Sequence, residues 1–296
     1  FGCLGGVRRQ NHFVLSIKLL SLTIEENFWT DSNGSRIYAR RWAVANPKAV
    51  VCLVHGLGEH CARYDTVAAF FAERGIAISG FDLPGHGNSE GRRGHAFSTE
   101  VIFEYIDRLM AEVSKKNPEV PVFLYGQSMG GNLVLSYVLD RRPGIQGVMA
   151  TSSWIRLPEK LSPLLVAFGR MMRAIMPSFT QNAGLNADHI SRDDAVVSAY
   201  RSDPLVHNRI SVQTGLSLLE AAQKLDSFAG DMPAPALLVH GSADQITSPQ
   251  GSEDFARRAT GDVTFKSWDG LYHETHNEPE KEEVLSYLVD WMERFL

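Results

Sequence analysis

The sequence predicts an α/β protein: a mostly parallel sheet with helices on both faces, interrupted by one helical insertion. Three observations predict it. Strand-like and helix-like runs alternate along most of the chain. The strand-like runs are continuously apolar, as expected where both faces of a sheet are covered. One long stretch, from about residue 152 to about residue 214, holds no convincing strand and breaks the alternation.

The elements follow in order. LTIEENFWT and RIYARRWAV flank the turn cluster DSNGS and read as a hairpin. AVVCLVHG (49–56) is an apolar, β-branched strand. YDTVAAFFAERG reads as a helix stopped at Gly75, and IAISGFD (76–82) as the next strand. STEVIFEYIDRLMAEVSKK has apolar residues at helical spacing, with Ser98 or Thr99 as its cap. VPVFLYGQS (120–128) is a strand, MGGNLVLSYVLDR a helix and IQGVMATS a strand. Near the end, PALLVHG is a strand, PQGSEDFARRAT a helix and VTFKSW a strand. EKEEVLSYLVDWMERFL closes the chain as an amphipathic helix.

Inside the insertion, PLLVAFGRMMRAIM sets Leu164, Leu165, Phe168, Met172, Ile175 and Met176 on one helical face, with Pro163 in the first turn. Long interruptions of a regular domain are usually functional. The expected organisation is therefore a core of residues 21–151 and 215–296, with a helical lid over 152–214 that turns an apolar underside inward. Residues 1–20 are expected to be an N-terminal extension, disordered or foreign to the natural chain. Arg8 and Arg9 before an apolar stretch faintly suggest a secretion leader, but Lys18 interrupts the stretch and no A-x-A site follows.

Composition excludes several classes. A formal net charge of -5 with no long Lys/Arg run argues against nucleic acid as a partner. No run of eighteen apolar residues is present to span a bilayer. Three cysteines in 296 residues cannot frame a disulfide scaffold, so a reducing, cytoplasmic setting is expected. Cys52, inside an apolar run, reads as a small core residue.

The chemistry centres on GQSMG (126–130), which fits G-x-S-x-G between a strand and a helix. A sharp turn there lifts the Ser128 hydroxyl above the sheet edge and aims a helix N-terminus at the site. A serine hydroxyl is a poor nucleophile until a base takes its proton and a third group orients the base. On this kind of sheet the partners follow in the order Ser, acid, His, each on a loop after a later strand. Asp244, just after ALLVHG, is the acid; Glu253 and Asp254 are alternatives on the next helix. His273, after VTFKSW and the turn DGLY, is the base, and His276 is its rival. The oxyanion donors are the backbone N–H of Met129 and of Leu57, in the loop HGLG. YHETHNE is not a zinc motif, because H-E-x-x-H spaces its histidines four apart and these are three apart. No metal and no organic cofactor is expected.

HGLGEHCARY (55–64), GFDLPGHGNSEGRRG (80–94), GQSMGG (126–131), YRSDPL (200–205), GSADQI (241–246) and YHETHNE (272–278) occur in this order. Together they resemble the monoglyceride lipases of the α/β-hydrolase superfamily, over about residues 22–296. The resemblance implies a serine ester hydrolase acting on monoacylglycerols through an acyl-enzyme; a lysophospholipase or a general carboxylesterase on the same triad is the alternative. It implies that Ser128, Asp244 and His273 are catalytic, with Leu57 and Met129 as oxyanion donors. It implies that Glu59, Arg63 and His276 lie at the glycerol end of the site. It also implies an acyl channel under the lid, lined by Leu164, Leu165, Phe168, Met172 and Ile175, and peripheral contact of the lid with membranes or micelles. Two positions depart from the pattern: Leu57 is bulkier than usual, and Gln127 stands where some members carry histidine. Both bear on substrate preference, not on the reaction.

Overall fold

Asp31 closes the first turn of the fold: its carboxylate accepts the backbone N–H of Ser35 at 2.8 Å. That turn joins strand β1 (Thr23–Thr30) to β2 (Arg36–Ala43), which pair antiparallel in full register. The computed structural model describes residues 22–296 apart from Asn33 and Phe97. The expectations for residues 1–20 lie outside the described residues.

Strand β3 (Ala49–Val54) follows, then helix α1 (Asp65–Ala72), β4 (Ile76–Phe81), α2 (Thr99–Lys116), β5 (Val122–Gln127), α3 (Met129–Arg141) and β6 (Gly147–Thr151). The insertion carries α4 (Pro163–Ile175), β7 (Thr180–Asn182), α5 (Asp194–Ser202) and β8 (Arg209–Ser211). The chain then continues with α6 (Val212–Ser227), β9 (Ala236–Gly241), α7 (Pro249–Arg258), β10 (Val263–Trp268) and α8 (Lys281–Glu293).

The main sheet runs β1-β2-β4-β3-β5-β6-β9-β10. From β4 to β10 every pairing is parallel. β3 shows why such strands read as unbroken apolar runs. Val50, Cys52 and Val54 enter the core on one face, with α2, α3 and α7; Ala49, Val51 and Leu53 enter the other, with α1 and α8. Fully buried Cys52 is an ordinary core residue, and burial pushes its thiol up to about 12. Among the described residues no helix is long and apolar enough to cross a membrane.

The insertion departs from expectation in two ways. It holds two strands, β7 and β8, paired antiparallel over three residues each, too short to leave a period in the sequence. Its apolar helix face is also not an underside. Leu164 is 83% exposed, Leu165 54%, Phe168 56% and Ile175 66%, and only Met172 is half-buried. The reason lies in how α4 meets α6. Gly169 faces Leu216 of α6, and Arg173 pairs with Glu220 at 2.9 Å. That contact turns the Leu/Phe/Ile stripe outward. α5 and α6 were not legible as helices; α6 starts where Ser211 accepts the N–H of Thr214, and buries Leu216, Leu218, Ala221, Ala222 and Leu225.

Candidate active site

The turn between β5 and α3 is tight enough to exclude side chains. A Cβ on Gly126 would lie 2.2 Å from the Gly130 carbonyl oxygen, and one on Gly130 would lie 2.0 Å from that of Val54. Between them Ser128 adopts φ 55° and ψ −115°, a strained conformation for a residue with a side chain. It is held there by three backbone bonds: its N–H donates to Thr151 O at 2.9 Å, and its carbonyl accepts from Asn132 and Trp154 at 3.0 Å each. Met129 is the first residue of α3, so its N–H belongs to the unpaired helix terminus.

Two later loops meet this turn. Asp244, beyond the end of β9, lies 2.8 Å through Oδ2 from His273 Nδ1. His273, beyond the end of β10, accepts Gln127 Nε2–H on its carbonyl at 3.2 Å, which ties it to the residue preceding Ser128. Both are buried. Burial raises the proton affinity of Asp244, but the two imidazoles facing it, His273 and His240, outweigh burial and hold its carboxyl well below the usual range. Burial lowers the pKa of His273, and the charge and hydrogen bond of Asp244 overcome that and leave it above the ordinary value. An ionised carboxylate only accepts, so Nδ1 carries the proton and Nε2 the lone pair.

The loop after β3 packs on the same turn. A Cβ on Gly56 would lie 3.4 Å from that of Ser128. His55 spans the loop, with Nδ1 2.7 Å from Gly56 O and Nε2 accepting Leu83 N–H at 2.9 Å. This is a structural task for a buried histidine. Leu57 is half-buried against the core at the tip of the loop.

Glu59, Arg63 and His276 do come together, with a fourth group that sequence reasoning missed. Glu59 accepts Gly56 N–H at 2.6 Å and the Tyr64 hydroxyl at 2.9 Å on one oxygen, and Arg63 at 2.6 Å on the other. Arg63 also makes two bonds of 2.7 Å to Glu274. Burial works against the charge on Arg63, but Glu274 and Glu59 raise its pKa well above the usual guanidinium value. His276 stacks on Tyr64, ring centroids 5.0 Å apart, and neither of its ring nitrogens bonds a described residue. Glu274 is the acid between the two histidines; its partner is 211 positions away, and nothing in the local spacing announces the pair. His240 is the second omission. It bonds the same Asp244 oxygen, Oδ2, that His273 uses, at 2.9 Å. Among the described residues, no cluster of three or more His, Cys, Asp or Glu could hold a metal ion.

The sequence profile of the family described as serine aminopeptidase, S33, matches residues 45–280. An uncharacterized abhydrolase domain-containing protein of Dictyostelium discoideum is 39% identical over 88% of this chain, which spans 28% of that protein's length. A monoacylglycerol lipase of Mycolicibacterium smegmatis is 34% identical, covering 93% of this chain and 99% of its own. The crystal structure of Paleococcus ferrophilus monoacylglycerol lipase superposes with a TM-score of 0.81 at 34% identity, over 88% of this chain and 99% of that one.

Proposed function

The chain belongs to the serine aminopeptidase, S33, family of α/β-hydrolases, and from that premise we propose that it is a serine ester hydrolase of monoacylglycerols. The observation that carries the reading is the buried Asp244–His273 contact of 2.8 Å, tied through Gln127 to the strained turn at Ser128. The acyl-glycerol substrate is supported by relatives of that name that match nearly the whole chain.

In the proposed reaction, Ser128 Oγ attacks the ester carbonyl while His273 Nε2 takes its proton. Negative charge grows on the carbonyl oxygen and is met by the N–H groups of Leu57 and Met129, each worth about 2.7–4 kcal/mol of transition-state stabilisation. Collapse of this intermediate breaks the ester C–O bond, and His273 returns its proton to the departing glycerol oxygen. Water then adds to the acyl carbon, its proton drawn off by His273. The acyl carbon–Oγ bond breaks, His273 returns that proton to Ser128 Oγ, and the fatty acid leaves. Asp244 fixes the imidazole tautomer and balances its charge.

Residues 152–214 act as a lid in this reading. The exposed stripe of α4 contacts the membrane or micelle surface where monoacylglycerols partition. Of the groups at the glycerol end, Glu59 and Arg63 are committed to protein partners. His276, with both nitrogens free of described partners, is the one with hydrogen-bonding capacity to offer.

The test is a substrate panel on wild type and Ser128→Ala. It contains monoolein, lysophosphatidylcholine, p-nitrophenyl esters of increasing chain length and proline β-naphthylamide, with fluorophosphonate labelling in parallel. Monoolein is expected to be the best substrate, with labelling and turnover lost together in Ser128→Ala. Preference for the amide, or turnover surviving in Ser128→Ala, overturns the proposal.

A further inference from the structure

Asp244 has more partners than an orienting acid requires. Its Oδ1 accepts the backbone N–H of Ile246 at 2.7 Å and of Thr247 at 3.1 Å. Its Oδ2 faces His273 Nδ1 at 2.8 Å, the Thr247 hydroxyl at 2.8 Å and His240 Nε2 at 2.9 Å. The Thr247 proton is shared, since Ser152 O also lies 2.9 Å from that hydroxyl. The two imidazoles are the firmer donors: each lies nearer to Oδ2 than to the Thr247 hydroxyl oxygen, which is 3.2 Å from His240 Nε2 and 3.4 Å from His273 Nδ1.

His240 is fully buried at the next-to-last position of β9, before the loop that carries Asp244. Its Nδ1 lies 2.8 Å from the hydroxyl of Ser252, itself buried on α7. An ionised carboxylate can only accept, so Nε2 must carry the proton. Nδ1 is then the acceptor, and the Ser252 hydroxyl donates to it. One tautomer satisfies every partner. Burial, opposed by Asp244, leaves the ring less basic than an ordinary histidine, which keeps it a neutral donor.

We infer that His240 is a positioning residue for the reaction: it pins the Asp244 carboxylate and takes a share of charge on Oδ2 that would otherwise fall wholly on His273. The inference rests on the triad reading above. Its chemical consequence is a base that gives up its proton more readily than one facing an undivided carboxylate. The other ionisable groups acting on His273 are Glu274 on its own loop and Glu59 from the loop after β3, with His276 close by. None of these touches Oδ2; besides that oxygen, His240 meets only hydroxyls, those of Ser252 at 2.8 Å and Thr247 at 3.2 Å, so changing it removes no other charged partner.

The experiment measures kcat/KM for a soluble p-nitrophenyl ester from about pH 5 to about pH 9 in wild type, His240→Leu and His240→Gln. Leu removes the donor, and His273 should hold its proton more tightly. The acid limb is expected to move up by about half to one pH unit, an acid-side loss of about three- to tenfold. Gln can set an amide N–H where Nε2 stood and should return the limb to the wild-type position. Ser252→Ala, which frees the tautomer, should shift it in the same direction as Leu and by less. A limb unmoved in His240→Leu while its melting temperature falls assigns His240 to structure alone and overturns the proposal. So does a Gln variant displaced as far as Leu. If His240→Leu does not fold, Ser252→Ala decides: an unmoved limb overturns. Ester hydrolysis surviving in Ser128→Ala would instead defeat the triad reading, so the two ideas fail separately.

Discussion

Arg63 and Glu274 form a buried two-point ion pair, Nη1 to Oε1 and Nη2 to Oε2, each 2.7 Å. Through Glu59, which holds the N–H of Gly56, the pair links the loop after β3 to the loop that carries His273. Burial alone would raise the pKa of Glu274, yet Arg63 holds it at about 2. A depressed carboxyl stabilises the fold above its unfolded value, 4.5, and that contribution drains away as pH falls toward about 2. Urea unfolding should therefore show stability falling across this window in wild type and a flatter profile in Glu274→Gln. Arg63→Met strands two buried acids and should cost about 3–5 kcal/mol at neutral pH. Equal stability of Arg63→Met and wild type would contradict this account.

Catalysis in the proposed mechanism needs neutral His273, and Asp244 keeps its pKa above the ordinary 6.5. Activity should accordingly fade with acid at a pH above that value. Asp244→Asn removes the largest of the charges that oppose burial and leaves only Glu274 and Glu59 against it, so the acid limb should move down. The plateau kcat should fall by about 10⁴-fold, because the amide favours the wrong tautomer. A limb unmoved in Asp244→Asn would detach Asp244 from the base.

The two histidines of YHETHNE should behave differently. His273→Ala is expected to lower kcat by about 10⁴- to 10⁶-fold. His276→Ala should mainly raise KM for monoolein and spare kcat, as for a group that binds ground and transition states alike. Initial-rate kinetics on both variants would show it; equal collapse of kcat would end this division of labour.

The outward stripe of α4 makes its own prediction. Replacing Leu164, Phe168 and Ile175 with Ser exposes no new core, since all three are already more than half exposed. Melting temperature and hydrolysis of a soluble short-chain ester should stay near wild type, while sedimentation with lipid vesicles and turnover of vesicle-borne monoolein should fall. Unchanged vesicle binding would remove α4 from any surface role.

The strands of the parallel sheet are legible because both faces are covered, which forces runs such as Ala49–Val54 to be apolar throughout. The order of Ser128, Asp244 and His273 along the chain is legible because each follows a readable strand. α6 is not, since Thr214, Gly215 and Ser217 break its apolar pattern while tertiary contacts with β8 and α3 secure it. The direction of α4 depends on where Gly169 meets Leu216, which no helical wheel contains. His240 and Glu274 escape for a related reason. Four residues across a strand end imply no shared face, and 211 positions imply nothing at all.

The last dozen residues of the insertion are wired into the site rather than laid over it. His60 meets Asp203 at 2.8 Å, the Gly58 carbonyl accepts His207 N–H at 2.8 Å, and the Gly94 carbonyl accepts Ser211 N–H at 2.9 Å. For anyone exchanging insertions between relatives to retune substrate choice, the seam therefore falls before Asp203. A graft cut at residue 214 would carry off half of the clamp on the loop that bears Leu57.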